Sequence, residues 1–457
     1  MNYREMLTRR DFFRFSAGAV GALALPGLAA TRDGRPPNLL VIVADDLRWD
    51  ALGFAGSRVV RTPYLDRLAE TSLVYRNAFV TTSVCPVSRA SIMSGQYASR
   101  HGIWDFETPF KAAQLDGTYH AKLRGAGYHT GFIGKWGLGG PLPVRLFDRF
   151  DGFSNYTPYI DTKRTPPHLT TYQGEAALGF LSSTPRDRPF CLTVCFFAPH
   201  AQNELNDEFP PEPGQEHLYD GPPIPPPPTF STSYLDGLPK SWIEPNGRSL
   251  FDNRIPTSKK FQNFLRGYFR LITGMDAAIG RILSALAGDG RLDNTLVLFL
   301  SDNGFFLGDH GMIGKWLIYE ESIRVPLVLR LPATAGPAPR GLRQAFALNL
   351  DVAPTLLHAA GVAIPESMQG IALQDIEASA PHAARDHFFY EYKAGPFQCL
   401  GIRTERWKYG FFPETGFELL FDLLEDPYEQ VNRAGRPAHS ALVAGFKKTI
   451  LARYRFS

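Results

Sequence analysis

Cysteine is scarce: four in 457 residues, at positions 85, 191, 195 and 399. That is too few for a disulfide framework to organise a chain of this length. Cys191 and Cys195 share the run Phe190-Cys-Leu-Thr-Val-Cys-Phe-Phe197, which reads as a buried strand. Four residues along a strand separate two Cα atoms by roughly 13 Å, beyond disulfide reach, so both are assigned to core packing. Net charge is equally slight. The 48 Lys and Arg against 45 Asp and Glu leave +3, and no long basic run appears, which excludes nucleic acid as the expected partner. Beyond residue 30 no stretch reads as long and apolar enough to span a membrane. What remains is 44% hydrophobic and 20% charged residues, ordinary for a globular protein with a substantial core.

The first thirty residues carry Thr8-Arg9-Arg10-Asp11-Phe12-Phe13-Arg14-Phe15, then an Ala/Gly/Leu stretch ending at Ala29-Ala30. Twin arginines, a moderately apolar stretch and a small-residue end match a Tat-type export signal over residues 1–30. An uncleaved amphipathic anchor is the alternative. The expected partner is the Tat export machinery, and the expected location of the mature chain is periplasmic or secreted.

The body alternates buried strands and helices, which predicts an α/β fold. Asn38–Ala44 is a continuous apolar run, as in a central parallel strand, and it ends in Asp45-Asp46. Two adjacent carboxylates at the end of a buried strand need a cation or a proton to compensate them; a solvated surface turn is the alternative. The strand Tyr128–Ile133 leads into Gly134-Lys135-Trp136-Gly137, which suits an anion or an ordinary turn. The strand Phe190–Phe197 leads to Pro199-His200, and Leu296–Leu300 to Ser301-Asp302-Asn303-Gly304, with Gly314-Lys315 shortly after. A strand is also expected over Ile323–Leu331, and helices over His168–Ser183 and Lys259–Leu286. In open α/β sheets ligands bind at the carboxyl ends of strands. A Pro-rich stretch, residues 209–230, reads as an ordered surface loop. From residue 385 short aromatic strands suggest a small antiparallel sheet closed by a helix over Ser440–Tyr454. The domains are accordingly 31–384 and a C-terminal α+β subdomain, 385–457.

The segment Cys85-Pro-Val-Ser-Arg89 joins these strand ends. Pro86 suits the first position of a helix. Cys85 then sits at a helix N-terminus, where the dipole lowers a thiol pKa, and Arg89 lies one turn on. Nucleophile, redox centre, metal ligand and plain buried cysteine all fit that placement. Asp45, Asp46, Asp302 and Asn303 offer hard oxygen ligands suited to Ca²⁺ or Mg²⁺. Arg89, Lys135, Lys315 and His200 suit a tetrahedral oxyanion. A cation plus several positive side chains fits hydrolysis of a sulfate or phosphate ester.

Taken together, Asp45-Asp46, Cys85-Pro-Val-Ser-Arg89, Gly134-Lys135-Trp136, Pro199-His200, Ser301-Asp302-Asn303-Gly304, Gly314-Lys315, Asp351-Val-Ala-Pro-Thr355 and Gly401-Ile-Arg-Thr-Glu-Arg-Trp-Lys408 make the chain resemble a type I sulfatase of the alkaline phosphatase superfamily over nearly its whole mature length. The resemblance implies a large, mostly parallel sheet flanked by helices. It implies that a formylglycine-generating maturation enzyme converts Cys85 to 3-oxoalanine (formylglycine), whose hydrate attacks sulfur to form a covalent sulfoenzyme and then eliminates sulfate. It also implies that Asp45, Asp46, Asp302, Asn303 and residue 85 ligate the divalent cation, usually Ca²⁺ with Mg²⁺ the alternative. Arg89 holds the hydrate, Lys135 and Lys315 bind sulfate oxygens, and His200 acts near the leaving group. The implied substrate is a sulfated small molecule or saccharide, and the loops Phe305–His310 and Tyr319–Arg324 resemble those of bacterial carbohydrate sulfatases. One departure stands out. Many family members place a His two residues after the Lys of Gly-Lys-Trp, and here that position is Gly137, with His310 a candidate replacement. Phosphonate monoester or phosphodiester hydrolysis, and a catalytically weak sugar-binding relative, are the rival readings.

Overall fold

A computed structural model describes residues 35–202, 208–235, 238–239, 249–333, 338–379, 384–394 and 397–454. The proposed export signal lies outside them. The centre is an eight-stranded sheet in the order β10-β2-β9-β6-β1-β5-β3-β4. Its strands are β1 (Asn38–Ala44), β2 (Leu73–Phe79), β3 (His129–Lys135), β4 (Arg149–Phe153), β5 (Phe190–Cys195), β6 (Thr295–Ser301), β9 (Leu327–Arg330) and β10 (Gly341–Leu348). All neighbours pair in parallel except β9, which runs against both β2 and β6. The α/β expectation is met.

The apolar run of β1 explains its central place. Leu39, Val41 and Val43 face one core, and Leu40, Ile42 and Ala44 the other. A strand with no polar face has to be covered on both sides. Helices do this, among them Leu169–Ser183 and the 31-residue Ser258–Gly288 on one side. The latter corrects one expectation, since by length and composition alone it is apolar enough to cross a membrane. Here its apolar face (Phe264, Tyr268, Ile272, Met275, Ile279) is buried in the core. Near its middle Asp276 accepts the N–H groups of Tyr64 and Leu65 at 3.2 and 2.8 Å, and so caps the helix Pro63–Glu70.

Three further details differ from expectation. The strand expected over Ile323–Leu331 is confined to Leu327–Arg330, because Glu320–Ile323 close a helical turn and Pro326 has no N–H to give a ladder. Strands β4 and β10 carry no alternating or continuous apolar signal, being edge strands that are half-exposed or exposed over much of their length. Two short strands, β7 (Phe306–Leu307) and β8 (Ile313–Gly314), pair as an antiparallel ribbon beyond β6.

The C-terminal part forms a second, four-stranded antiparallel sheet, β11 (His387–Ala394), β12 (Phe397–Thr404), β13 (Trp407–Phe412) and β14 (Phe417–Asp422). The helix Ser440–Tyr454 lays Val443 and Ile450 on Leu400, Ile402, Tyr409, Phe411 and Leu420.

Register does the rest. Ala44 pairs with Ser301, Val43 with Cys195, and Gly134 with Cys195. The residues that follow each strand therefore emerge side by side at one carboxyl edge.

Candidate active site

Asp45 and Asp302 are the next residues after the paired Ala44 and Ser301, and the Asp46 N–H donates to Asp302 Oδ1 at 3.2 Å. Lys135 ends β3, and its Nζ lies 2.6 Å from Asp45 Oδ2. His200 follows β5; its Nε2 is 3.5 Å from Asp46 Oδ2. Facing this edge is the helix Cys85–Ser94, buried throughout, with Pro86 in its first turn and Gly95 in the left-handed region at its end. Cys85 Sγ lies 3.3 Å from Asp45 Oδ1 and 2.8 Å from Lys315 Nζ, and Lys315 also pairs with Asp46 Oδ1. Arg89 spreads its guanidinium over three partners. These are Asp302 Oδ2 at 2.8 Å, the Lys135 carbonyl at 2.6 Å and Asp45 Oδ2 at 3.3 Å. All nine residues singled out in the sequence, from Asp45 to Lys315, thus meet at one place.

The electrostatics follow from burial. Three carboxylates (Asp45, Asp46, Asp302) stand against three fixed cations (Arg89, Lys135, Lys315), nearly all without access to water. Burial alone would raise the Asp45 pKa, yet Lys135, His200, Arg89 and Lys315 together hold it well below the usual carboxylate range. Asp302 goes the other way. Burial and the neighbouring Asp45 charge push it up to about 6 against the pull of Arg89. Burial takes His200 down to about 4. Its Nδ1 lies 2.8 Å from the Ala201 carbonyl, which assigns the ring proton there and leaves the Nε2 lone pair aimed at Asp46.

Cys85 corrects the sequence reading. Its thiol pKa is raised, well above the ordinary value, first by burial and then by the Asp45 charge, against Lys135 and Lys315. Desolvation beside a carboxylate outweighs the helix dipole, the reverse of the shift expected from the helix N-terminus alone.

The oxygen donors here, from Asp45, Asp46 and Asn303, fit a hard cation. Ligand atoms of Asp45, Asp46, Cys85 and His200 all lie within 4.8 Å of one another. Asn303 Nδ2 donates to Asp46 Oδ1 at 2.6 Å, and Asn303 Oδ1 is buried without a hydrogen-bond partner, as an oxygen reserved for a metal would be. The grouping differs from the expected ligand list. His200 clusters with Asp45, Asp46 and residue 85, while both Asp302 oxygens are already engaged by Arg89 and the Asp46 N–H.

Gly137 has φ +89°, and a Cβ there would overlap Arg89 Cδ. Its N–H donates to the Ser154 carbonyl at 2.9 Å, prolonging the β3–β4 ladder. The place of the missing histidine is therefore filled by the Arg89 stem. His310 does not supply a substitute. It packs on Tyr319 and Tyr234 at ring distances of 4.6 and 5.4 Å, with Nε2 3.8 Å from Glu321 Oε2. Burial takes its pKa down to about 4, with Lys408 and Arg48, against the pull of Asp309 and Asp426.

Supporting residues escaped sequence reasoning. Tyr268 donates to the Asp46 carbonyl at 2.7 Å, and Ser301 Oγ accepts the Leu47 N–H at 2.9 Å. Both fix the turn after β1; Tyr268 stands in no motif, and Ser301, though part of the Ser301–Gly304 motif, carries no sequence signal that ties it to residue 47.

A model of the sulfatase family matches residues 37–362, and one for the C-terminal part of N-sulphoglucosamine sulphohydrolase matches residues 308–455. The chain belongs to the sulfatase family. As a sulfatase it is a sulfuric ester hydrolase of the alkaline phosphatase superfamily. It is 27% identical to an N-acetylglucosamine-6-O-sulfatase of Bacteroides thetaiotaomicron, over 92% of this chain and 87% of that protein. It is also 27% identical to an arylsulfatase of Clostridium perfringens, over 91% and 94%. A solved structure in complex with its substrate D-glucosamine-2-N,6-O-disulfate superposes with a TM-score of 0.78 at 25% identity, covering 92% of this sulfatase and 98% of that chain.

Proposed function

We propose that this sulfatase removes sulfate from a carbohydrate, a sulfated amino sugar being the first candidate, using residue 85 in its formylglycine form and a divalent cation, Ca²⁺ or Mg²⁺. The observation that carries the reading is the charge-balanced, buried cluster around Cys85. Side chains of opposite charge cancel there, so a bound dication leaves a surplus of about two positive charges, suited to a sulfate group. Asp45, Asp46, Asn303, residue 85 and either Asp302 or His200 would hold the cation. When present, the cation and the aldehyde hydrate supply Lewis-acid polarisation and an oxygen nucleophile. Lys135 and Lys315, released from the carboxylates, bind sulfate oxygens, and Arg89 fixes residue 85 against Asp302. Where Asp302 rather than His200 completes the cation's ligands, His200 is left to act near the leaving group. The likeness to an N-acetylglucosamine-6-O-sulfatase and to a structure bound to a glucosamine disulfate, and the resemblance of the loops Phe305–His310 and Tyr319–Arg324, support the substrate class. Residues 1–30 are proposed to direct export through the Tat route to the periplasm or beyond.

Activity on a panel of defined sulfated sugars, an aryl sulfate and a phosphodiester tests the reading. Turnover of a sulfated amino sugar is expected, and Cys85→Ala is expected to abolish it in a folded chain. Exclusive phosphodiester turnover, or peptide mass spectrometry showing Cys85 unconverted in an active enzyme, would overturn it.

A further inference from the structure

Among its contacts near the candidate site, the C-terminal sheet grips the segment Trp316–Glu320, which directly follows Lys315. Tyr390 on β11 donates its hydroxyl to the Trp316 carbonyl at 2.7 Å. Ile318 lies over the backbone of two strands at once. A Cβ on Gly401 of β12 would overlap Ile318 Cδ1, and one on Gly410 of β13 would meet Ile318 Cγ2 at 3.4 Å. Tyr319 packs on Phe421 of β14 at 5.4 Å. Glu320 is gripped hardest. Lys408 Nζ lies 2.8 Å from its Oε1 and 2.7 Å from Glu429, Glu429 Oε2 accepts the Glu320 N–H at 2.7 Å, and Arg403 Nε lies 3.3 Å away. Trp316 itself is held at φ +79°, a conformation a tryptophan keeps only when its surroundings impose it. On the other side of Lys315 the chain is pinned by the β7–β8 ribbon.

We infer that the C-terminal sheet is a positioning device for Lys315, with Tyr390, Gly401 and Lys408 as positioning residues that set the reach of its ammonium to residue 85. Lys135 serves as the contrast, for it is delivered by β3 of the central sheet and owes nothing to the C-terminal part. The inference rests on the reading of Lys315 as a sulfate-binding side chain. A displacement of about 1 Å in such a group costs up to about a hundredfold in rate, so small contacts at Trp316–Glu320 should be felt in turnover.

The test uses the full chain with Tyr390→Phe, Gly401→Ala, and Gly401→Ala combined with Ile318→Val, which removes Cδ1. Steady-state kcat and KM on an aryl sulfate are measured, with thermal midpoint and reductive methylation of lysines read by peptide mass spectrometry. Gly401→Ala is expected to lower kcat by about tenfold or more and to raise methylation of Lys315 severalfold while Lys135 is unchanged. Adding Ile318→Val should bring both readouts back towards wild type. Tyr390→Phe, which deletes one oxygen and cannot plausibly unfold the chain, should shift both in the same direction by less. Unchanged Lys315 labelling in Tyr390→Phe and Gly401→Ala, or an equal rise at Lys135, would overturn the inference. If the wild type turned over no sulfate ester, the Lys315 and Lys135 labelling would still judge the positioning separately from the reaction.

Discussion

At the scale of single residues, position 137 decides most. Reintroducing a histidine there looks like a repair from sequence alone. The structure argues the reverse, because the backbone is left-handed and the Arg89 stem occupies the space. A non-glycine residue in that conformation costs about 1–2 kcal/mol before any overlap is counted. Gly137→His is therefore expected to lower both kcat and the thermal midpoint, and a gain in turnover at unchanged stability would contradict this. Single residues also show where reading the sequence stops. The chemical types at Asp45, Asp46, Lys135, His200, Asp302 and Lys315 were legible because each stands just beyond an apolar run or a glycine turn, and Cys85 because Pro86 and Arg89 mark a helix start. The direction of the Cys85 pKa was not. It depends on burial and on the distance to Asp45, which only the fold supplies.

At the scale of elements, the strands that bear the candidate site were legible for a physical reason. β1, β5 and β6 are covered on both faces and so read as unbroken apolar runs. β4 and β10 lie at the sheet edges, where no uniform burial imprints a pattern, and they were missed. The helix Pro63–Glu70 offers a pH test. Burial raises the pKa of its cap, Asp276, to about 7, against the pull of the Leu65 and Tyr64 N–H groups. The folded chain thus binds this proton more tightly than the unfolded one, whose Asp titrates near 3.8. The stabilising contribution is full below about pH 4 and is lost as pH rises to about 7. The stability of wild type relative to Asp276→Asn should fall over that window in denaturant titrations. A flat difference would show that the N–H groups keep Asp276 ionised throughout.

At the scale of the whole molecule, each buried carboxylate of the candidate site already has a cationic partner from this chain. Removing one partner from such a pair costs about 3–5 kcal/mol, but no partner is missing when the metal is. Chelation is expected to abolish sulfatase activity while the chain stays folded, lowering the thermal midpoint only by linkage, about 2.7 kcal/mol at a hundredfold excess over Kd. Unfolding on chelation at assay temperature would show instead that the cation is a structural requirement.

The burial of Cys85 also fixes an order in time. The side chain is 1% exposed, beneath groups that come from residue 45 and from residue 315. No second protein can grip it in the finished fold. The proposed conversion to the aldehyde would then belong to the interval after the Cys85–Arg89 segment has left the ribosome and before the chain carrying Lys315 packs over it. A refolded, unconverted protein should resist the maturation enzyme under conditions in which a peptide spanning residues 80–95 is converted, and mass spectrometry of both would show whether the window is real.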